Sequence, residues 1–288
     1  MSQNRQNFTL SDGRNLEYLT NGLKSESAII LHAGTTQDIT GWQTWLDYFA
    51  SRGIFALSFG RSGYAGSTKM PGRITIDVAK DIAELSDHLG ITKFVNLGLS
   101  GGGQHAVATG LDPRSVGVVT VGSLAPFAEL GDHFYSGMQQ ADLDEYADAL
   151  RDINDLVKRF QKWQDGNVAD SVAGAELSER DQLAASKPTW KVVLDSCAFT
   201  MQQGWDWVAD DYSSYLQPWG FDPRDVKVTT VIWQAELDKN VPIQHGQWLA
   251  KHMPNNRFEL RDGETHLGLY VNYEEEIMQS AIALLTSS

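Results

Sequence analysis

The sequence predicts the α/β class: a mostly parallel central sheet with helices on both faces and one inserted helical segment. Three observations predict it. Short apolar runs alternate with stretches of helical period, the rhythm of parallel strands joined by crossover helices. The runs are almost continuously apolar, as strands covered on both faces require. That rhythm stops near residue 125 and resumes near 226.

The elements follow in order. Residues 7–20, NFTLSDGRNLEYLT, read as a hairpin turning at Ser11-Asp12-Gly13. SAIILH (27–32) is the first buried strand and runs through the loop HAGTT to an amphipathic stretch over 40–51. IFALSF (54–59) is the next strand, followed by the turn GRSGYAGST. In ITIDVAKDIAELSDHLG (74–90), Ile74, Val78, Ile82, Leu85 and Leu89 share one helical face, and Gly90 is the stop. KFVNLG (93–98) leads into Ser100, flanked by Gly98, Gly101, Gly102 and Gly103, and a helix follows. VGVVTV (116–121) is the last strand before the break. After it come a strand in VKVTTVIWQ (226–234), a helix over 242–253, a strand in NRFELRD (256–262) and a final helix over 273–286. The expected division is a core of residues 1–124 and 226–288 around a helical lid, 125–225.

Composition excludes several function classes. The 288 residues carry a formal net charge of −14, which argues against nucleic acid or an anionic membrane as partner. No apolar run approaches the roughly 18 residues of a membrane span. The opening MSQNRQNFTL is polar and unlike a signal peptide, and the single cysteine, Cys197, reads as a small buried hydrophobe. The expectation is a cytoplasmic monomer or homodimer acting on a small-molecule substrate. Residues 125–225 hold 19 acidic against eight basic side chains, a balance of −11, and five of the nine tryptophans: Trp163, Trp190, Trp205, Trp207 and Trp219. There is no HExxH, no CxxC pair and no phosphate-binding glycine loop with lysine, so no metal or cofactor is expected.

Gly98-Leu99-Ser100-Gly101-Gly102 matches G-x-S-x-G where a buried strand becomes a helix. Such an elbow strains its central residue, needs small neighbours, and exposes the serine hydroxyl at the carboxyl edge of the sheet. The bland reading is a tight strand–helix turn with a serine cap, anchoring a phosphate. A nucleophilic serine needs a base, and the base an orienting acid. Of seven histidines, His88, His245 and His252 fall on helical faces expected to be wet, His105 points away on the serine's own helix, His32 ends a strand, and His133 lies in the insertion. His266, in the loop RDGETHLGL, shares the carboxyl edge with Ser100. For the acid, Asp238 in ELDKNVP is the choice over Glu236, which still alternates with the strand, and Asp262, which is too near His266 in the chain.

These pieces resemble the α/β-hydrolase superfamily, in particular its small bacterial esterase-like members with a helical lid. LHAGTT resembles the oxyanion loop and GRSGYAGST the turn after the next strand. GLSGGG resembles the nucleophile elbow, PWGFDPRDVKV the return from the lid, ELDKNVP the acid turn and GETHLGL the histidine loop. The order nucleophile, acid, histidine is that of the fold. The resemblance implies Ser100 as nucleophile, His266 as general base and then acid, and Asp238 as its orienter. It implies an oxyanion hole from the N–H of Gly101 and one from Thr35, with Gly34 second, because His32-Ala33-Gly34-Thr35 departs from the usual His-Gly-x. Phe59 stands where many relatives carry an aspartate, and the turn after it reads as structural. The implied activity is hydrolysis of a carboxylic ester of a small neutral or apolar substrate through an acyl-enzyme. The alternatives are an aminopeptidase or amidase using lid carboxylates, a carbon–carbon hydrolase or lyase, and a non-catalytic binding protein of the same fold.

Overall fold

The computed structural model describes residues 5–165 and 178–287. Its strands are β1 Gln6–Thr9, β2 Asn15–Thr20, β3 Ser27–His32, β4 Phe55–Phe59, β5 Lys93–Leu99, β6 Ser115–Val121, β7 Thr229–Ala235 and β8 Asn256–Arg261. They form one sheet in the order β1-β2-β4-β3-β5-β6-β7-β8. Only β1 with β2 and β2 with β4 pair antiparallel; every other neighbour is parallel. The helices before the break are α1 Gln43–Ser51, α2 Asp77–Leu89 and α3 Gly103–Thr109. Between β6 and β7 lie α4 Phe127–Leu130, α5 Gln140–Arg151, α6 Ile153–Asp165, α7 Glu179–Ala185, α8 Pro188–Gln202 and α9 Asp206–Leu216. After β7 come α10 Ile243–His252, α11 His266–Asn272 and α12 Glu274–Thr286.

β3 shows why the strands read as apolar throughout. Ile29 and Leu31 pack on one side with Trp45, Phe49, Ile277 and Ala281 of α1 and α12. Ala28 and Ile30 point the other way, against Val78, Ile82 and Leu85 of α2. Successive side chains of a strand alternate between faces, so a sheet covered twice needs an apolar residue at every position. Each large aliphatic side chain buried this way contributes about 1.5–3 kcal/mol relative to exposure. α2 ends as expected, with Gly90 at φ +70 receiving the chain in the left-handed region. It begins at Asp77 rather than 74, because the Ile74 N–H bonds to Asp77 Oδ2 and the Ile76 N–H to the carbonyl of Trp219.

The inserted helices carry an apolar centre of their own, with Phe134, Tyr146, Leu156, Phe160, Trp207 and Tyr212 closing on Tyr64 and Val241 of the sheet domain. Trp219 stacks on Phe221 against a fourth cluster beneath α10. The side chain of Trp163 lies outside the described residues. Among the described residues, no helix is long and apolar enough to cross a membrane.

Two expectations are corrected. His266 was expected in a loop but opens α11, because Thr265 caps the helix with its Oγ1 accepting the Gly268 N–H at 3.0 Å. His245 was expected on a wet face but is fully buried. Its Nδ1 accepts the Ala125 N–H and its Nε2 faces the carbonyl of Phe134, so both ring nitrogens are satisfied without water. Burial lowers its pKa to about 4.

Candidate active site

β5 runs straight into a 3₁₀ turn, Ser100–Gly102, and then α3. Ser100 sits at φ +51, a left-handed conformation that a non-glycine residue holds only when its surroundings impose it. The surrounding glycines show how. A Cβ on Gly98 would lie 2.6 Å from the Gly102 carbonyl oxygen and from Gly103 Cα. A Cβ on Gly102 would strike the carbonyl oxygens of His32 and Ala33. These obstacles are backbone and cannot turn aside. Close approach of β3, β5 and α3 is what the glycine run permits, and it leaves Ser100 projecting at the carboxyl edge.

Asp238 leaves the turn after β7, where the N–H groups of Asn240 and Val241 donate to its Oδ1 at 2.9 and 2.7 Å. Its Oδ2 lies 2.6 Å from His266 Nδ1. This arrangement gives Nδ1 the proton and leaves Nε2 as the accepting nitrogen. Burial disfavours the charged imidazole, but the Asp238 carboxylate outweighs it, helped by Asp142 and Asp181, and the His266 pKa is raised. Gly122 at the end of β6 packs against the pair; a Cβ there would lie 3.0 Å from the imidazole and 3.2 Å from Asp238 Oδ2. The rival acids are elsewhere: Glu236 is exposed and accepts the Gly263 N–H, and Asp262 is exposed.

A cavity of about 350 Å³ collects the predicted site: Ser100, Gly101, Gly34, Thr35 and His266 all line it, with Asp238 behind. Gly34 lies against the serine, its Cβ position 3.5 Å from Ser100 Cβ. Its N–H is committed to Gln37 Oε1 at 3.2 Å. His32 is fully buried on Asn96, outside the cavity lining, and burial lowers its pKa to about 3. His105 points away from the cavity, as expected, onto the Gly101 carbonyl and Arg73.

The wall opposite holds residues that the sequence did not mark. Asp142 and Glu145, three apart on α5, face the cavity together with Tyr212 of α9 and Trp190 of α8. Burial pushes the Asp142 carboxyl up to about 6 against the nearby His266 charge. Burial and the Asp142 charge push Glu145 up to about 8, although Tyr212 donates its hydroxyl to it. No lysine or arginine of the described residues lines the cavity. Both acids share a helical face with Tyr146, and that spacing is the signal in the sequence that could have marked them. Of the inserted tryptophans only Trp190 reaches the cavity among those described; Trp205, Trp207 and Trp219 pack elsewhere. Cys197, expected as core filler, is only part-buried, lines the cavity and receives the Thr36 hydroxyl at 3.3 Å.

Comparison with known proteins bears on the fold that carries this site. Residues 27–273 match the family described as alpha/beta hydrolase fold. A hydrolase from Pseudomonas aeruginosa PA01 superposes with a TM-score of 0.68 at 18% identity, covering 99% of this chain and 100% of its own. The enol-lactonase from Burkholderia xenovorans LB400 gives 0.69 at 16% identity, covering 98% and 100%. A thermophilic esterase from Thermogutta terrifontis gives 0.68 at 17%, covering 98% of each chain. At such identities the likeness is one of fold.

Proposed function

The chain belongs to the alpha/beta hydrolase fold family, and from that premise we propose that it is a serine hydrolase cleaving a carboxylic ester of a small neutral or apolar substrate. The observation that carries this reading is His266, joined at 2.6 Å to the buried Asp238 and lining the same cavity as the strained Ser100. Ser100 Oγ attacks the acyl carbon while His266 Nε2 takes its proton. The oxyanion forms between the N–H groups of Gly101 and Thr35; one such donor typically contributes about 3 kcal/mol to the transition state. His266 then protonates the leaving alkoxide, and water, activated by the same imidazole, releases the acid from the acyl-enzyme.

Asp142 and Glu145 bear on the substrate. Asp142, ionised above about pH 6 in a cavity that no lysine or arginine of the described residues lines, disfavours substrates with a negative charge at that end. It also favours a second reading, an amidase or aminopeptidase whose substrate ammonium faces α5. A fluorophosphonate probe tests the chemistry: wild type is expected to label, Ser100→Ala and His266→Ala not. Unlabelled wild type would refute it. A panel of p-nitrophenyl esters beside amino-acid p-nitroanilides separates the two readings, and preference for the anilides would overturn the first.

A further inference from the structure

We propose that Asp211, on the inserted helix α9, is a positioning residue that ties the seating of that helix to the shape of the oxyanion loop. The proposal rests on the serine-hydrolase reading above. Asp211 is fully buried between two arginines of the sheet domain. Arg61, from the turn after β4, reaches its two oxygens at 3.0 and 2.6 Å, and Arg73 bonds to Oδ1. The hydroxyls of Tyr64 and Tyr215 donate to Oδ2 at 2.6 and 2.8 Å.

The same four partners grip the backbone and side chains around Ser100. Arg61 donates to the Ala33 carbonyl. Tyr64 Oη accepts the Thr36 N–H at 3.2 Å. Tyr215, its own proton given to Asp211, accepts the Thr35 hydroxyl at 2.7 Å. Arg73 donates to His105 Nε2 at 2.9 Å, and His105 Nδ1 donates to the Gly101 carbonyl at 2.8 Å. One carboxylate of the insertion therefore lies at the hub of bonds to residues 33, 35, 36 and 101, which carry or flank both proposed oxyanion donors. Thr36 is held at φ +68, a conformation that persists only where surroundings impose it, and the Tyr64 hydroxyl is one of its restraints.

A purely structural lock would not need these groups. Buried ion networks are seldom more stabilising than apolar side chains of the same volume. What they add is direction at several backbone points, and oxyanion stabilisation depends on direction. The turn around Arg61, read from sequence as structural, is in this view part of the site's support.

Tyr64→Phe tests the idea with the least disturbance. Tyr64 is buried and lies outside the cavity lining, so the change removes one oxygen without touching substrate. On an ester whose hydrolysis requires Ser100, Y64F is expected to lower kcat about ten- to hundredfold with KM within about twofold. It should weaken an alkylboronic acid, which mimics the tetrahedral adduct, by a similar factor. Amide hydrogen exchange across residues 33–37 should quicken while β5 and α3 stay protected. Asp211→Asn is expected to do all three more strongly. Wild-type kcat, boronate affinity and exchange in Y64F would overturn the positioning role and leave the reaction reading intact, whether or not D211N folds. Wild type without Ser100-dependent turnover would overturn that reading and this role with it.

Discussion

Asp238→Asn isolates what the carboxylate beneath His266 does. Oδ1 receives the N–H groups of Asn240 and Val241, so in the variant that place must go to the amide oxygen; an NH₂ there would set donors against donors. The NH₂ then faces His266 Nδ1 across the 2.6 Å contact that Oδ2 now makes. Nδ1 becomes an acceptor, the ring proton moves to Nε2, and the nitrogen that should take the Ser100 proton is already occupied. A wrong tautomer of this kind in a serine triad lowers kcat by roughly 10⁴, about 5.5 kcal/mol of barrier. The fold should lose far less, on the order of 1–2 kcal/mol, because the side chain keeps its shape and both backbone bonds. The assay is kcat/KM on a Ser100-dependent ester from pH 5 to 9, beside thermal unfolding of the same preparations. A folded D238N retaining more than about a tenth of wild-type activity would refute the reasoning.

The remaining predictions concern charge and packing. Glu145 holds its proton up to about pH 8 when folded but titrates near 4.5 unfolded. The folded state thus binds more protons, and this group makes wild-type stability fall with rising pH, by up to about 1.4 kcal/mol per unit between roughly 5 and 8. Glu145→Gln should remove that component, so urea midpoints for the two proteins that stay parallel across this window would sink the assignment. The acid limb of kcat/KM should lie above the usual imidazole value, because the neighbouring carboxylates raise His266. Asp142→Asn, which takes away one of them, should move the limb to lower pH; an unmoved or upward-shifted limb contradicts the electrostatics. Gly102→Ala drives a Cβ into the carbonyls of His32 and Ala33 and should cost about 3 kcal/mol or more in denaturant unfolding, against little effect if the strand–helix approach is looser than described.

The class, the strand sequence and the elbow were legible because their causes are local. Near-continuous apolar runs such as 28–31, the helical face of Val78, Ile82 and Leu85, and glycines about Ser100 are each written in neighbouring residues. Asp238 could be preferred to Glu236 by counting from a strand end. That the Gly34 N–H is taken up could not be read, since it turns on where the Gln37 side chain sends its oxygen. Nor could the burial of His245, Glu145 or Asp211. A polar residue on a helix reads as wet until its partners are known, and these partners lie far away: Phe134 for His245, Tyr212 for Glu145, Arg61 and Arg73 for Asp211. By itself the sequence determined which segments become strands and helices and where a strained serine stands, because periodicity and close backbone approach are short-range properties. Only the tertiary structure decided which polar groups are buried together around that serine, because the free energy of a buried charge depends on neighbours brought from across the sheet.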